Sequence, residues 1–233
     1  MESNTFYDIY LEELKNLPQG TPEEETALLK KLTEGDKTAV SRLTELKLTK
    51  AVQIAEEYHD RGLPAGDLVQ EANMALFLFA SEYENGDFDA QMEKKVRALA
   101  IAHLVNRYIN AYIGKLSPMC SCVMASSTAA SVGIAYLLGG SDEQLGYAVR
   151  NMSGTVTGMI CDGGKVGCAM KVATGSSAAL LCALTAVHDA PLRVSDGICA
   201  ETPEDCIRHM AQIGNQGMAQ TDKEIIHIME QKK

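Results

Sequence analysis

The chain has 233 residues, 46% of them hydrophobic, and a formal net charge of -10, enough for one large or two small domains with a packed core. That acidity argues against a general surface for nucleic acid or anionic membrane, which needs clustered Lys and Arg to neutralise phosphates. No direct DNA binding is expected, and a specific protein partner remains open.

The first residues, MESNTFYDIYLEELKN, are acidic where an export signal is basic and then apolar. The expected compartment is therefore the cytoplasm. There the seven cysteines stay reduced, as buried apolar thiols, metal ligands or catalytic groups.

The helical reading starts with TPEEETALLKKLTEG, where Thr21 is the expected N-cap, Pro22 fills the first turn and Glu24 is the capping-box partner. In DKTAVSRLTELKLTKAVQIAEEYHDRG the apolar residues from Val40 to Ile54 recur mostly every three or four positions, with a stop at Gly62. A third helix has Asp67 near its start, and a fourth runs from about Phe88 to Ile113. No β-branched alternation competes, so this part reads as all-α.

The stretches TPEEETALLKKLTEGDKTAVSRLTELKLTKAVQIAEEYHDRG and GLPAGDLVQEANMALFLFASEYENGDFD together resemble the entry to region 2 of bacterial RNA polymerase sigma factors, over about residues 5–110. The resemblance implies docking on RNA polymerase through Asp67, Gln70, Glu71 and Asn73 of one helix. The chain has no Trp and no second DNA-reading module, and capture of unpaired bases needs aromatic platforms. A docking role, without promoter melting, is what the resemblance leaves.

Composition changes near Gly114. Up to Lys115 there are 20 acidic and 13 basic residues and no cysteine; from Leu116 onward there are 11 acidic and 8 basic residues, all seven cysteines and 13 of the 19 glycines. Two helical modules are expected, 1–113 and 114–233, the second an Ala/Gly-rich, closely packed helical domain. The uncharged run between Lys115 and Asp142 has the length of a membrane span, but its serines, alanines and glycines suit a buried helix better, and no membrane role is expected. A small-residue helical face of this kind also suits a homo-oligomer.

In the second module SDEQLGYAVRNMSGTVTGMI opens on Ser141 with Gln144 in the capping-box position, TPEDCIRHMAQIGNQGM opens on Thr202, and TDKEIIHIME is expected to open on Thr221. Between helices lies MICDGGKVGCAMKVATG. Its glycines at 163, 164 and 167 free the backbone, and the thiols of Cys161 and Cys168 are separated by enough loop to turn toward one centre. Paired CxxC motifs of a zinc ribbon are absent, and CSC at 120–122 is too tight for a zinc knuckle. A three-thiolate iron–sulfur site and plain buried cysteines beside a glycine turn both remain open on spacing alone. The five histidines are scattered without ligand spacing.

The segments CSCVMASSTAASVGIAYLLGG, SDEQLGYAVRNMSGTVTGMICDGGKVGCAMKVATGSSAALLCAL and VSDGICAETPEDCIRHMAQIGNQGMAQTD resemble the C-terminal part of the serine dehydratase alpha-chain-like proteins, the branch that includes L-cysteine desulfidases, over about residues 117–232. The resemblance implies a pyridoxal-independent lyase with a 4Fe-4S cluster on three cysteines: Cys161, Cys168 and one of Cys120 or Cys122, with Cys122 the favoured choice. It further implies β-elimination and deamination of L-serine or L-cysteine to pyruvate. Asp162 and Lys165 would bind the substrate carboxylate or orient the cluster, and Ser153, Thr155 and Thr157 would offer hydroxyls. Cys182, Cys199 and Cys206 are expected to be packing thiols. The first part of that family's sequence has no counterpart before residue 117 on this reading, which leaves the completeness of the active site open.

Overall fold

The computed structural model describes residues 5–114 and 117–232, apart from the side chain of Thr5. Lys115 and Leu116, where the change in composition falls, lie outside the described residues. Among those described the fold is all-α: ten α-helices and one π-helical turn. The chain divides into two compact units, 1–100 and 101–233, and the division falls inside a continuous helix.

The first unit holds α1 (Thr5–Lys15), α2 (Pro22–Thr33), α3 (Ala39–Glu56), α4 (Ala65–Glu82) and the opening turns of α5 (Phe88–Ile113). Its core is apolar and aromatic: Leu43, Val52, Leu68, Leu76, Phe79, Phe88, Met92 and Val96 are buried, and Phe79, Tyr83 and Phe88 stack edge and tilted at centroid distances of 4.9 to 5.9 Å. Thr21 caps α2 by accepting from the Glu24 amide. The Glu24 carboxylate in turn takes the Arg42 guanidinium of α3 at 2.8 Å, so the residue expected to complete a local capping box also ties α2 to α3. Lys47, largely buried, bridges Glu25 at 2.6 Å and Asp89 at 2.8 Å. Its charge stays inside because two carboxylates share it.

The second unit comprises the rest of α5, α6 (Ser121–Leu137), α7 (Asp142–Val156), α8 (Gly167–Val187), α9 (Pro203–Gln212), the π-turn Ile213–Gly217 and α10 (Ala219–Glu230). Helices α6, α7 and α8 pack on one another, and α7 also packs on α9. Small residues set the spacing. A Cβ on Gly175 of α8 would lie 2.2 Å from Ser127 Oγ and 2.6 Å from Val123 Cγ1 of α6, so only a glycine permits this approach. Ser127, Thr128 and Ser131 are all buried in α6, as its uncharged but hydroxyl-rich composition suggests.

The ends of these helices mostly follow local rules. Ser141 and Gln144 form a reciprocal capping box at α7, and Thr202 accepts from the Asp205 amide at α9. Thr221 does not start a helix. The π-turn carries the chain from α9 directly into α10, which begins at Ala219, and Thr221 lies within its first turn. Buried Arg150 donates to the carbonyls of Ala200 at 2.9 Å and Glu201 at 2.8 Å, fixing the loop ahead of α9. One described helix, α8, is long and apolar enough to cross a membrane; Gly175, Ala179, Cys182, Ala183 and Ala186 form its buried stripe.

Candidate functional site

The cysteine-bearing segments meet at the start of α6 and α8. Met119 and Ile160 form an antiparallel bridge, closed by Cys120 N–H to Met159 O and Cys161 N–H to Pro118 O, each 2.7 Å. Cys120 and Cys161 each follow a bridge residue directly, so backbone bonds bring together two thiol positions 41 residues apart in the chain. Past Cys161 the backbone turns at Gly163 with φ +87, a conformation that glycine adopts without a Cβ penalty. Cys168 then enters the first turn of α8, with its Sγ 3.6 Å from the Gly163 carbonyl.

Cys120 is the N-cap of α6 and Val166 that of α8, and neither makes a side-chain cap bond. The first-turn amides donate to backbone instead: Val123 N–H to the Cys120 carbonyl at 3.0 Å, and Cys168 and Ala169 N–H to the carbonyls of Lys165 and Val166 at 2.9 and 3.0 Å. Cys120 is buried, Cys122 exposed, and Cys161 and Cys168 are half-buried. Burial pushes the Cys120 thiol up, and the neighbouring Cys161 and Cys122 add to the rise, as expected where sulfurs crowd together with no positive charge fully offsetting them.

Asp162 accepts from the Lys171 ammonium and pairs with Lys165 at 3.3 Å. These two lysines, Lys171 first, hold its carboxyl down at about 2. Lys171 also donates to the Ile160 carbonyl at 2.9 Å. The loop motif in the sequence points to Asp162 and Lys165 and leaves Lys171 out. A signal was present: Lys171 is the only charged residue in the 21-residue helix α8, three positions beyond Cys168.

The hydroxyls of Thr155 and Thr157 return to the carbonyls of Asn151 and Ser153, at 2.5 and 2.6 Å, and Thr155 also hydrogen-bonds the Cys182 thiol. Ser153 is fully buried. Cys182, Cys199 and Cys206 are buried thiols, each pushed up chiefly by burial, which is the packing role expected of them.

Among the described residues no three His, Cys, Asp or Glu side chains converge tightly enough to hold a single metal ion. The donors at this end of the unit are three thiols, those of Cys120, Cys161 and Cys168, carried by two segments joined by a bridge, with Lys165 and Lys171 paired to Asp162 beside them; thiolates are the ligand type that iron–sulfur clusters use.

In the first unit Asp67, Gln70 and Asn73 line a groove of about 440 Å³ together with Phe6, Tyr7 and Tyr10 of α1. Asn73 Nδ2 donates to Tyr10 Oη at 2.7 Å. Glu71 lies on the same helix, and Phe6 is strongly exposed.

The family model for the serine dehydratase alpha chain matches residues 73–227, from within α4 to within α10. Similar curated proteins include a UPF0597 protein of Alkaliphilus metalliredigens, 44% identical over 142 residues that make up 61% of this chain and 32% of that protein. A UPF0597 protein of Parabacteroides distasonis is 43% identical over 143 residues, 61% of this chain and 33% of that protein. One from Bacteroides thetaiotaomicron is 42% identical over 161 residues, 69% of this chain and 36% of that protein. The chain thus spans about a third of the length of the curated relatives it matches. No solved structure matches it significantly. With the family match covering most of the chain, including the whole of the cysteine-bearing segment, this protein belongs to the serine dehydratase alpha chain family.

Proposed function

We propose that the second unit is the cluster-holding part of an iron–sulfur lyase of the L-serine dehydratase or L-cysteine desulfidase type, with a 4Fe-4S cluster on Cys120, Cys161 and Cys168. The observation that carries this reading is the Met119–Ile160 bridge, which puts Cys120 and Cys161 diagonally across it on one face, near enough for their charges to interact. It favours Cys120 over the exposed Cys122 as the third ligand.

When bound, such a cluster supplies an open iron that acts as a Lewis acid toward the substrate carboxylate and the departing β-group. The reaction removes the α-proton and expels the β-hydroxyl or β-thiol as water or hydrogen sulfide; the resulting enamine tautomerises and hydrolyses to pyruvate and ammonia. Asp162 is poorly suited to take the α-proton, because two lysines keep it ionised down to about pH 2. Its role is to orient Lys165 and Lys171. Lys165, the more exposed of the two lysines, is free to exchange Asp162 for the carboxylate of an amino-acid substrate.

The test is pyruvate formation from L-serine and L-cysteine by anaerobically reconstituted protein. Turnover that disappears in Cys161→Ser is expected. A chain that holds the cluster but releases no pyruvate would contradict catalysis by this chain alone.

A second reading concerns the first unit, where Asp67, Gln70 and Asn73 share a groove edged by exposed Phe6. This arrangement supports a protein-docking face of the kind the sigma-factor resemblance implies. Capture of purified RNA polymerase by the intact chain at low salt, lost in Asp67→Lys, is the expected result; no capture contradicts it.

A further inference from the structure

The Lys171 ammonium sits astride Cys161. It donates to the carbonyl of Ile160, the residue before that cysteine, and to the carboxylate of Asp162, the residue after it. It therefore closes the loop from the α8 side across the backbone that carries the thiol. It also lies within electrostatic reach of the sulfurs of Cys120 and Cys168. No other side chain of α8 is charged, and most of the Lys171 side chain is covered, 21% of it remaining exposed against 44% for Lys165.

We propose that Lys171 is the positioning residue of the three-thiol site: it clamps the segment 160–162 so that Cys161 faces Cys120 and Cys168, and its charge offsets the negative charge that three thiolates bring together. This rests on the cluster reading above. The geometry separates the two lysines. Lys171 has two acceptors, one of them a backbone carbonyl, and is held by the body of α8. Lys165 sits in the loop with Asp162 as its ion-pair partner at 3.3 Å, so its loss leaves the clamp in place. A charge-assisted pair of hydrogen bonds across a short loop is the strong kind, and removing it frees the segment to open without unfolding the helices around it.

Two readouts on the full chain test this. In the metal-free protein, hydrogen exchange across residues 160–168 is expected to rise by about tenfold or more in Lys171→Met, given the usual strength of hydrogen bonds between charged groups. Exchange in α7 and α9 should remain unchanged. Lys165→Met should stay near wild type, Lys171→Arg should restore protection, and Asp162→Asn, which breaks the clamp from the other side, should reproduce part of the loss. In protein reconstituted with iron and sulfide, Lys171→Met should retain less cluster and shift its reduction potential to more negative values, with Lys171→Arg returning both toward wild type.

Unchanged loop exchange in both Lys171→Met and Asp162→Asn would overturn the clamp. A potential and cluster content that ignore Lys171→Met would overturn its role toward the thiols even if the loop loosens. Failure of the cluster reading has its own signature: wild-type protein that takes up no iron, whatever the exchange data show.

Discussion

Cys120 and Cys161 are the residues immediately after the two partners of an antiparallel bridge, and each donates its backbone amide across that bridge at 2.7 Å. Their neighbourhood is thus fixed by main-chain bonds that do not depend on the identity of either side chain. Serine at either position should leave the local fold intact and change only the donor.

A cysteine series follows from this. Cys120→Ser, Cys161→Ser and Cys168→Ser should each lower cluster retention by more than about tenfold, since a first ligand matters at least as much as the groups supporting it. Cys122→Ser should retain the cluster, because Cys122 is exposed beyond the bridge. Iron content per chain after gel filtration decides among them. The reverse pattern, with loss in Cys122→Ser and retention in Cys120→Ser, would move the third ligand to Cys122.

The acid response of the first unit depends on Asp89. Burial works against its charge, but Lys47 and Lys50 outweigh that and hold its carboxyl below the usual range. A depressed carboxylate contributes stability that is complete above its unfolded pKa, near 4, and is lost as pH falls through the lower folded value. Asp89→Asn should therefore cost about 1 kcal/mol at pH 7, a modest figure because the carboxylate is partly exposed. The difference between wild type and variant should shrink as pH falls below 4. Urea midpoints of the intact chain at pH 7, 5 and 3 test this, and a gap that stays constant over that range would exclude Asp89 as the titrating group.

The close approach of α6 and α8 is equally testable. Gly175→Ala places a methyl where Ser127 Oγ and Val123 Cγ1 already sit, and overpacking of this kind costs about 1–3 kcal/mol. Ser127→Gly in the same chain should recover part of the loss. Denaturation midpoints of the single and double variants provide the measurement; additive losses in the double variant would mean the two residues do not share that space.

Much of the helical framework is legible in the sequence. The expected span of α5, Phe88 to Ile113, is the observed one, and Ser141 with Gln144 forms the expected box, because both follow from apolar spacing and capping chemistry within a few residues. Thr221 differs for a related reason: Thr-Asp-Lys-Glu has the local look of a helix start, whereas the chain is already helical there through a π-turn. The lyase resemblance legible from residue 117 covers less than the family match, which begins at residue 73, so residues 73–116 also have a counterpart in that family.

The site itself was only half legible. The glycine-rich loop between Cys161 and Cys168 shows in the sequence as a local motif, and the packing role of Cys182, Cys199 and Cys206 follows from their apolar settings. The bridge that brings Met119 to Ile160 is a single pair between distant segments, with no periodicity to reveal it. The role of Lys171 does not show in the sequence because its partners, Ile160 and Asp162, become neighbours only when the loop folds back on α8.

The three-thiol site is tested most simply by the iron and acid-labile sulfide content of the intact chain, purified without oxygen, together with its visible absorption spectrum. About four iron and four sulfide per chain, with broad thiolate-to-iron absorption lost in Cys161→Ser, are expected. Protein that stays colourless and iron-free after reconstitution would contradict the cluster reading.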